Sequence, residues 1–410
     1  MAYFRRKLAL SKGFFGIPGV KQVSGRQRIL DNPTASVYGD FSKRQREIFV
    51  IPVAYYISAH GYGHAVRSAQ VIRSLRHARP ELEFHIRTAA PRWLLQDLCF
   101  PISYQSGSFD VGIVQKDSLL MDLSATLRTC AELHRTIPRL VREETAFLKR
   151  EKIRLILGDI PPLCFEIAAR AAVPSIAIGN FAWDWVYRAY LQELPSIFPL
   201  IEEMEGFYRR ATLALHVPPA CPMEIFPNIK KIPLITRRSG LNKSLARLRF
   251  GLPADATVVL LTFGGFGLER LPLKKLERLG EIFFVATGPN PGTTKNLVIL
   301  PEPIPHYEDL IRAADVVVSK PGYGIVADAI SHQVPLLYTS REDFPEYPYL
   351  VEALKSWATS ELIPQEELLT ANLQPYLERL LDKERHWPTV ALGGAEVAAE
   401  EILGLLERDG

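Results

Sequence analysis

The sequence predicts an α/β protein made of two Rossmann-like halves, each a doubly wound parallel sheet, facing one another across a cleft. Three observations lead there: short apolar runs alternate with helical stretches, the alternation occurs twice, and polar glycine turns follow the runs. At 410 residues the chain is too long for one ordinary core and suits two domains.

The first series opens at Phe49-Val50-Ile51-Pro52-Val53-Ala54-Tyr55-Tyr56-Ile57, a continuous apolar run of the kind a strand buried on both faces requires. A Gly/His-rich turn leads to a helix over Ala65 to His77, then a strand over Glu83 to Thr88 and a helix around Pro91 to Leu98. A long helical region covers Leu119 to Glu151; the strand Leu155-Ile156-Leu157 runs into Gly158-Asp159; a helix over Pro162 to Ala171 precedes the strand Pro174 to Ile178. The second series follows the proline-rich stretch Pro218 to Pro233, with strands at Val258–Phe263, Phe283–Ala286, Leu297–Leu300, Val316–Ser319 and Val334–Tyr338, and a last helix over Ala395 to Leu406. The expected division is a basic extension over 1–47, an N-terminal Rossmann-like half over 48–225, a C-terminal Rossmann-like half over 226–394 and a C-terminal helix over 395–410 placed to cross back to the first half.

Composition excludes several classes. With 47% hydrophobic and 23% charged residues and no run approaching the roughly 20 apolar residues of a membrane span, the chain reads as soluble and globular. Lys+Arg 49 against Asp+Glu 45 leaves a net charge of +4, too slight for a nucleic-acid partner. Cys99, Cys130, Cys164 and Cys221 lack CxxC spacing and read as reduced core residues, and the N-terminus lacks the apolar core of a secretory signal, so a cytoplasmic location is expected. Arg5, Arg6, Lys7, Lys12 and their neighbours make residues 1–47 basic, a tail that is mobile or touches an anionic membrane surface.

In open α/β sheets ligands bind beyond the carboxyl ends of the strands, so the turns there carry the chemistry. The turn Ser58-Ala59-His60-Gly61-Tyr62-Gly63-His64 opens a helix whose amide dipoles face any anion, and either imidazole suits a general base near neutral pH. It lacks the GxGxxG form of a nicotinamide site, and its competing reading is a turn capped by a structural His. Ser319-Lys320-Pro321-Gly322-Tyr323-Gly324 precedes the helix Ile325 to His332, a geometry that accepts a diphosphate. Asp328, one turn into that helix, is placed to take both ribose hydroxyls or, alternatively, to act as a solvated or capping acid. The turn Thr262-Phe263-Gly264-Gly265-Phe266-Gly267 is either a second phosphate cradle or a tight packed turn. Asn180-Phe181-Ala182-Trp183-Asp184-Trp185 pairs indole with carboxylate, as carbohydrate stacking with hydroxyl recognition would, or is simply core.

Taken together these stretches resemble the glycosyltransferase-like N-terminal region of plant arabinokinases and, more distantly, the N-acetylglucosaminyltransferase family of peptidoglycan synthesis. The likeness lies in His60–Arg67, Asp110–Gln115 with Asp117 and Asp122, Gly158-Asp159, Asn180–Asp184 and Lys320–Gly324 through Asp328 to Pro335. It runs from Tyr55 to the C-terminus. It implies a GT-B fold, donor contacts at Gly264, Gly265, Lys320, Gly322, Tyr323, Gly324 and Asp328, and an acceptor side formed by His60, Gly61, Gly63, Gln115, Asn180 and Trp183. His64 is then the preferred base, with Asp159 and Asp184 as carboxylate alternatives. Where the relatives carry Glu at the ribose position this chain has the shorter Asp328. No sugar-kinase segment follows, so phosphoryl transfer by such a domain is not expected. The implied activity is inverting transfer of a hexosyl or N-acetylhexosaminyl group from a nucleoside-diphosphate sugar, UDP-sugar foremost, to an unknown acceptor. The donor is a substrate and no cofactor is called for; with no DxD-like site, no metal is expected. A nucleotide-sugar epimerase and a non-catalytic nucleotide-sugar-binding module are the rival readings.

Overall fold

A computed structural model describes residues 50–115, 121–263, 271–340 and 344–408. The basic extension, Asp117 and the turn containing Gly264 and Gly265 lie outside the described residues. From Ile48 onward the chain forms one unit that holds both sheets.

The first sheet has seven strands in the order β3-β2-β1-β4-β5-β6-β7: Ser103–Gln105, Leu82–Arg87, Ile51–Ile57, Leu155–Asp159, Ser175–Gly179, Leu213–His216 and Ile229–Lys231. All its pairings are parallel, with Tyr56 beside Gly158 and Ile57 beside Asp159. The second runs β10-β11-β9-β8-β12-β13-β14: Gly292–Thr293, Leu297–Pro301, Ile282–Gly288, Thr257–Leu261, Val316–Ser319, Leu336–Thr339 and Ser360–Ile363. Only β10 in it is antiparallel. Each sheet therefore reverses its strand order once, between β1 and β4 and between β8 and β12, which are the places where an open parallel sheet leaves a crevice. Together these features make an α/β architecture of two doubly wound sheets.

The strands are apolar throughout because both faces are covered. Val53, Tyr55 and Ile57 of β1 point into one core, and Ala54 and Tyr56 into another. The first of these cores continues through Val258 and Leu260 of β8 and Val317 of β12, so one apolar layer joins the two halves. Val259, Leu261, Val316 and Val318 face a third core behind the second sheet.

The first sheet runs further than the expected boundary at residue 225, because β7 belongs to it. That strand, Ile-Lys-Lys, is exposed at all three positions and carries no periodic signal. The helix Gly394–Arg408 packs on the helix Gly63–Ala78 of the first half. Its first residue docks where the Gly394 N–H donates to the Leu234 carbonyl at 3.1 Å. A Cβ there would stand 2.1 Å from the Pro233 oxygen, so only glycine allows this approach. The stretch around Pro91 to Leu98 is a 3₁₀ helix over Arg92–Leu98, which turns Trp93 and Asp97 toward the crevice. Among the described residues no helix is long and apolar enough to cross a membrane.

Candidate active site

A cavity of about 260 Å³ opens at the two switch points, lined by residues of both halves. The helices Gly63–Ala78 and Tyr323–His332 begin at its floor. Their first turns meet there: a Cβ on Gly63 would lie 3.8 Å from the Gly324 nitrogen, and one on Gly324 3.8 Å from the Gly63 Cα. Two sets of unsatisfied N-terminal amides thus converge on one space, a field that favours an anion with more than one phosphoryl group.

On the first-half wall the His64 ring is fixed by Asp159, with Nδ1 2.7 Å from Oδ1. Asp159 is fully buried at the end of β4. Burial alone would raise its carboxyl, but the charge of Arg67 and the His64 contact outweigh it and hold the group below the usual carboxylate range. An ionised Asp159 can only accept, so Nδ1 carries the ring proton and donates, and the lone pair of neutral His64 resides on Nε2. Arg67 Nε and Nη2 donate to the two carboxylate oxygens at 2.9 and 2.5 Å, and Ser68 Oγ donates at 3.1 Å.

His60 is held the other way round. The Ile113 N–H donates to its Nδ1 at 3.3 Å, so in neutral His60 that nitrogen accepts and Nε2 carries the proton. Its ring stacks on Phe344 at 5.9 Å and 12°. His64 thus presents an acceptor nitrogen backed by a buried carboxylate.

From the Arg67 guanidinium the network crosses the cleft. Nη1 donates to Asn180 Oδ1 at 2.9 Å, and Asn180 Nδ2 donates to Glu346 Oε1 of the second half at 2.7 Å. The guanidinium also lies 4.6 Å over the Tyr323 ring. At the mouth, Tyr62 and Trp93 meet edge to face at 5.2 Å. Burial and the charge of Glu302, which also lines the cavity, raise the Tyr62 hydroxyl above its ordinary value.

The residues singled out from sequence divide into three groups. His60, Gly61, Gly63, His64, Gln115, Asn180, Lys320, Gly322, Tyr323 and Gly324 line the cavity. Asp159 and Asp328 lie behind its wall, where each holds an arginine. The Asp328 carboxylate accepts from the Arg237 backbone N–H at 3.2 Å and Nε at 3.0 Å, and also from Nη2. The ribose role expected of Asp328 is corrected accordingly: its oxygens are spent on Arg237, which itself reaches the cavity. Trp183 and Asp184 form the third group and are also corrected. Trp183 is fully buried and donates through Nε1 to Asp110 Oδ2 at 2.9 Å, so it offers no face to a sugar. Asp184 sits off the cavity, its carboxyl pushed up to about 6 by burial and the nearby Glu205 charge.

Sequence reasoning missed Arg67 as a site residue, and also Arg237, Glu346 and Trp93. Arg67 stood inside the quoted motif; the others carry no local signal.

No protein-family model matches the chain. L-arabinokinase of Arabidopsis thaliana is 29% identical over 365 residues, which cover 84% of this chain and 33% of that protein, so the chain spans about a third of its length. An uncharacterised glycosyltransferase of Methanopyrus kandleri is 23% identical over 310 residues, 70% of this chain and 86% of that one. Among solved structures, the glycosyltransferase of kitacinnamycin superposes with a TM-score of 0.57 at 15% identity, covering 88% of this chain and 94% of the other. Arabidopsis thaliana UGT89C1 complexed with UDP gives a TM-score of 0.55 at 15% identity, covering 87% and 99%. The arabinokinase likeness read from the motifs holds over most of the chain, and the fold is that of the GT-B glycosyltransferases.

Proposed function

Starting from the GT-B fold, we propose that this chain is a glycosyltransferase that moves a sugar from a nucleoside-diphosphate sugar, UDP-sugar foremost, to an acceptor hydroxyl with inversion at the anomeric carbon. The observation that carries the proposal is the His64–Asp159 pair, whose 2.7 Å bond fixes the base tautomer beside the converging helix starts. An acceptor hydroxyl in the first-half side of the cleft gives its proton to His64 Nε2 as its oxygen attacks the anomeric carbon. The bond from that carbon to the diphosphate oxygen breaks in the same step. One displacement on one carbon inverts it.

The leaving diphosphate gains negative charge as it departs. The amides at Gly63 and at Tyr323–Gly324, with the cavity-lining cations Arg237 and Lys320, meet that charge without reorganising. These groups serve in place of a bound metal, so transfer survives chelation by EDTA. Arg237, oriented by Asp328, replaces the direct carboxylate contact to ribose.

The test is a thermal-shift panel of nucleoside diphosphates and their sugars, followed by incubation of each stabilising donor with and without acceptors and mass analysis of products. Stabilisation by a UDP-sugar and an acceptor-dependent glycoside are expected. No stabilisation by any nucleotide overturns the donor assignment. An altered sugar released from donor alone makes the chain an epimerase, and stabilisation without product under any condition makes it a binding module.

A further inference from the structure

We infer that Arg67 is the positioning residue of this site, holding the His64–Asp159 pair in its base-competent form and tying it to the donor-side turn. The inference rests on His64 being the base of the proposed transfer. A buried carboxylate beside an imidazole ordinarily draws a proton onto the pair; here the guanidinium fills that need with a permanent charge. Arg67 donates to both oxygens of Asp159, at 2.9 and 2.5 Å; its Nη2 shares Oδ1 with His64 Nδ1, 3.2 Å away, so the ring proton and the guanidinium meet on one ionised oxygen. With Arg67 in place the pair is one imidazole N–H donating to a paired carboxylate, and Nε2 keeps its lone pair. Without it, Asp159 is an unneutralised charge with no solvent exposure, and the pair takes up another proton.

Among the described residues bonded to Asp159, Arg67 is the one with a permanent positive charge. His64 is faced by Asp159, by Arg67 Nη2 at 3.2 Å from its Nδ1, by Asp110 across the turn, and by the rings of Phe181 and Trp183. Arg67 is faced by Asp159, Tyr55 and Tyr323, with Glu346 one bond further through Asn180. The groups that act most on Arg67 are thus an acid and two phenols, and its guanidinium is the charge bonded to both oxygens of the acid. Its stack on Tyr323, 4.6 Å from the ring centroid, and the Asn180–Glu346 bond reach the second half. The base is therefore aligned from the side that holds the donor.

The test follows the His64 ring by NMR across pH in the ligand-free full chain, with His64→Gln to assign the resonance. Wild type is compared with Arg67→Met and Arg67→Lys. In Arg67→Met the pair is expected to take up its proton at least about one pH unit higher than in wild type. In Arg67→Lys, which keeps a charge in the buried site but not the two-point bond, the ring is expected to lose its fixed Nδ1–H tautomer. An unmoved or lowered midpoint in the methionine variant overturns the inference. If that variant fails to fold, an unchanged tautomer in the lysine variant does so. The two readings separate cleanly: a chain that shows these shifts but transfers no sugar loses the transferase reading and keeps this one, and transfer without the shifts does the reverse.

Discussion

The two switch points of this molecule share a backbone and differ in chemistry. Each has a strand, a turn with glycine, and a helix starting at the cleft floor. In the first half the turn delivers His64 onto a carboxylate at the end of the neighbouring strand. In the second half the corresponding strand ends in Ser319, and no acid follows it in the turn; Asp328 lies within the helix and is bonded to Arg237. Repetition of the fold has supplied two anion-favouring helix starts, while the proton-accepting group was built only once. Proton transfer therefore belongs to the first half while anion binding is shared by both, and substitutions can separate the two functions.

The sharpest break is His64→Ala. Transfer is expected to fall by about a hundredfold to ten-thousandfold, the usual range for a lost general base, while UDP still stabilises the protein as in wild type. Product formation at saturating donor, alongside the UDP-induced shift in Tm, measures both. Equal loss of binding and turnover would put His64 in the anion site and erase the contrast between the halves.

The tryptophans give a second comparison. Trp183→Ala removes a fully buried indole that also satisfies Asp110, so about 3–5 kcal/mol of stability is expected to go. Trp93→Ala touches a half-buried ring on the cavity wall and is expected to cost less than about 1.5 kcal/mol while weakening acceptor or donor KM. Chemical denaturation and steady-state kinetics separate the two, and a Trp93 variant with unchanged KM for both substrates would remove that ring from the site.

What the sequence made legible follows from burial. Strands β1, β4, β5, β8 and β12 are covered on both faces and read as unbroken apolar runs. The edge strands β3, β7 and β14, with sequences Ser-Tyr-Gln, Ile-Lys-Lys and Ser-Glu-Leu-Ile, are short and bury at most one side chain each, so nothing in composition marks them. The glycine turns were legible because a close backbone approach restricts residue type. The ion pairs were not: Arg67 meets Asp159 across 92 positions and Arg237 meets Asp328 across 91. The same separation explains why Trp183 drew attention and Trp93 did not. An indole beside an acid in sequence resembles a sugar platform, but which indole faces the cleft is set by the docking of a 3₁₀ turn.

Asp184 sharpens the comparison between a carboxylate that is neutralised and one that is not. Asp159 has its arginine; the buried Asp184 Oδ1 has no hydrogen-bond partner among the described residues. Its carboxyl is pushed from 3.8 to about 6, so the folded state holds the proton more tightly than the unfolded chain. The sign follows: stability is full below about pH 4, declines as pH rises to about 6, and stays at the lower level above it. Asp184→Asn is expected to raise stability at pH 7 by up to roughly 3 kcal/mol and to flatten the profile between those limits. Urea unfolding at a series of pH values measures it, and an unchanged slope in the variant would mean that another group titrates there.

The smallest effect on the fold is expected at Gly322, where the question is what the turn reserves space for. Its backbone is extended, with φ −148°, a conformation open to any residue, and an added Cβ would meet nothing within 4 Å. By the fold's own requirements alanine is acceptable, and Gly322→Ala should change stability by no more than about 0.5 kcal/mol. The space it fills belongs to the cavity beside the helix start. If a diphosphate approaches the amides there, the methyl group stands in its path, and UDP affinity falls about tenfold or more without loss of Tm in the free protein. Calorimetric titration of UDP into both proteins decides the matter. Equal affinity in a stable variant would show that the second-half turn keeps its glycine for some reason other than close contact with a phosphate.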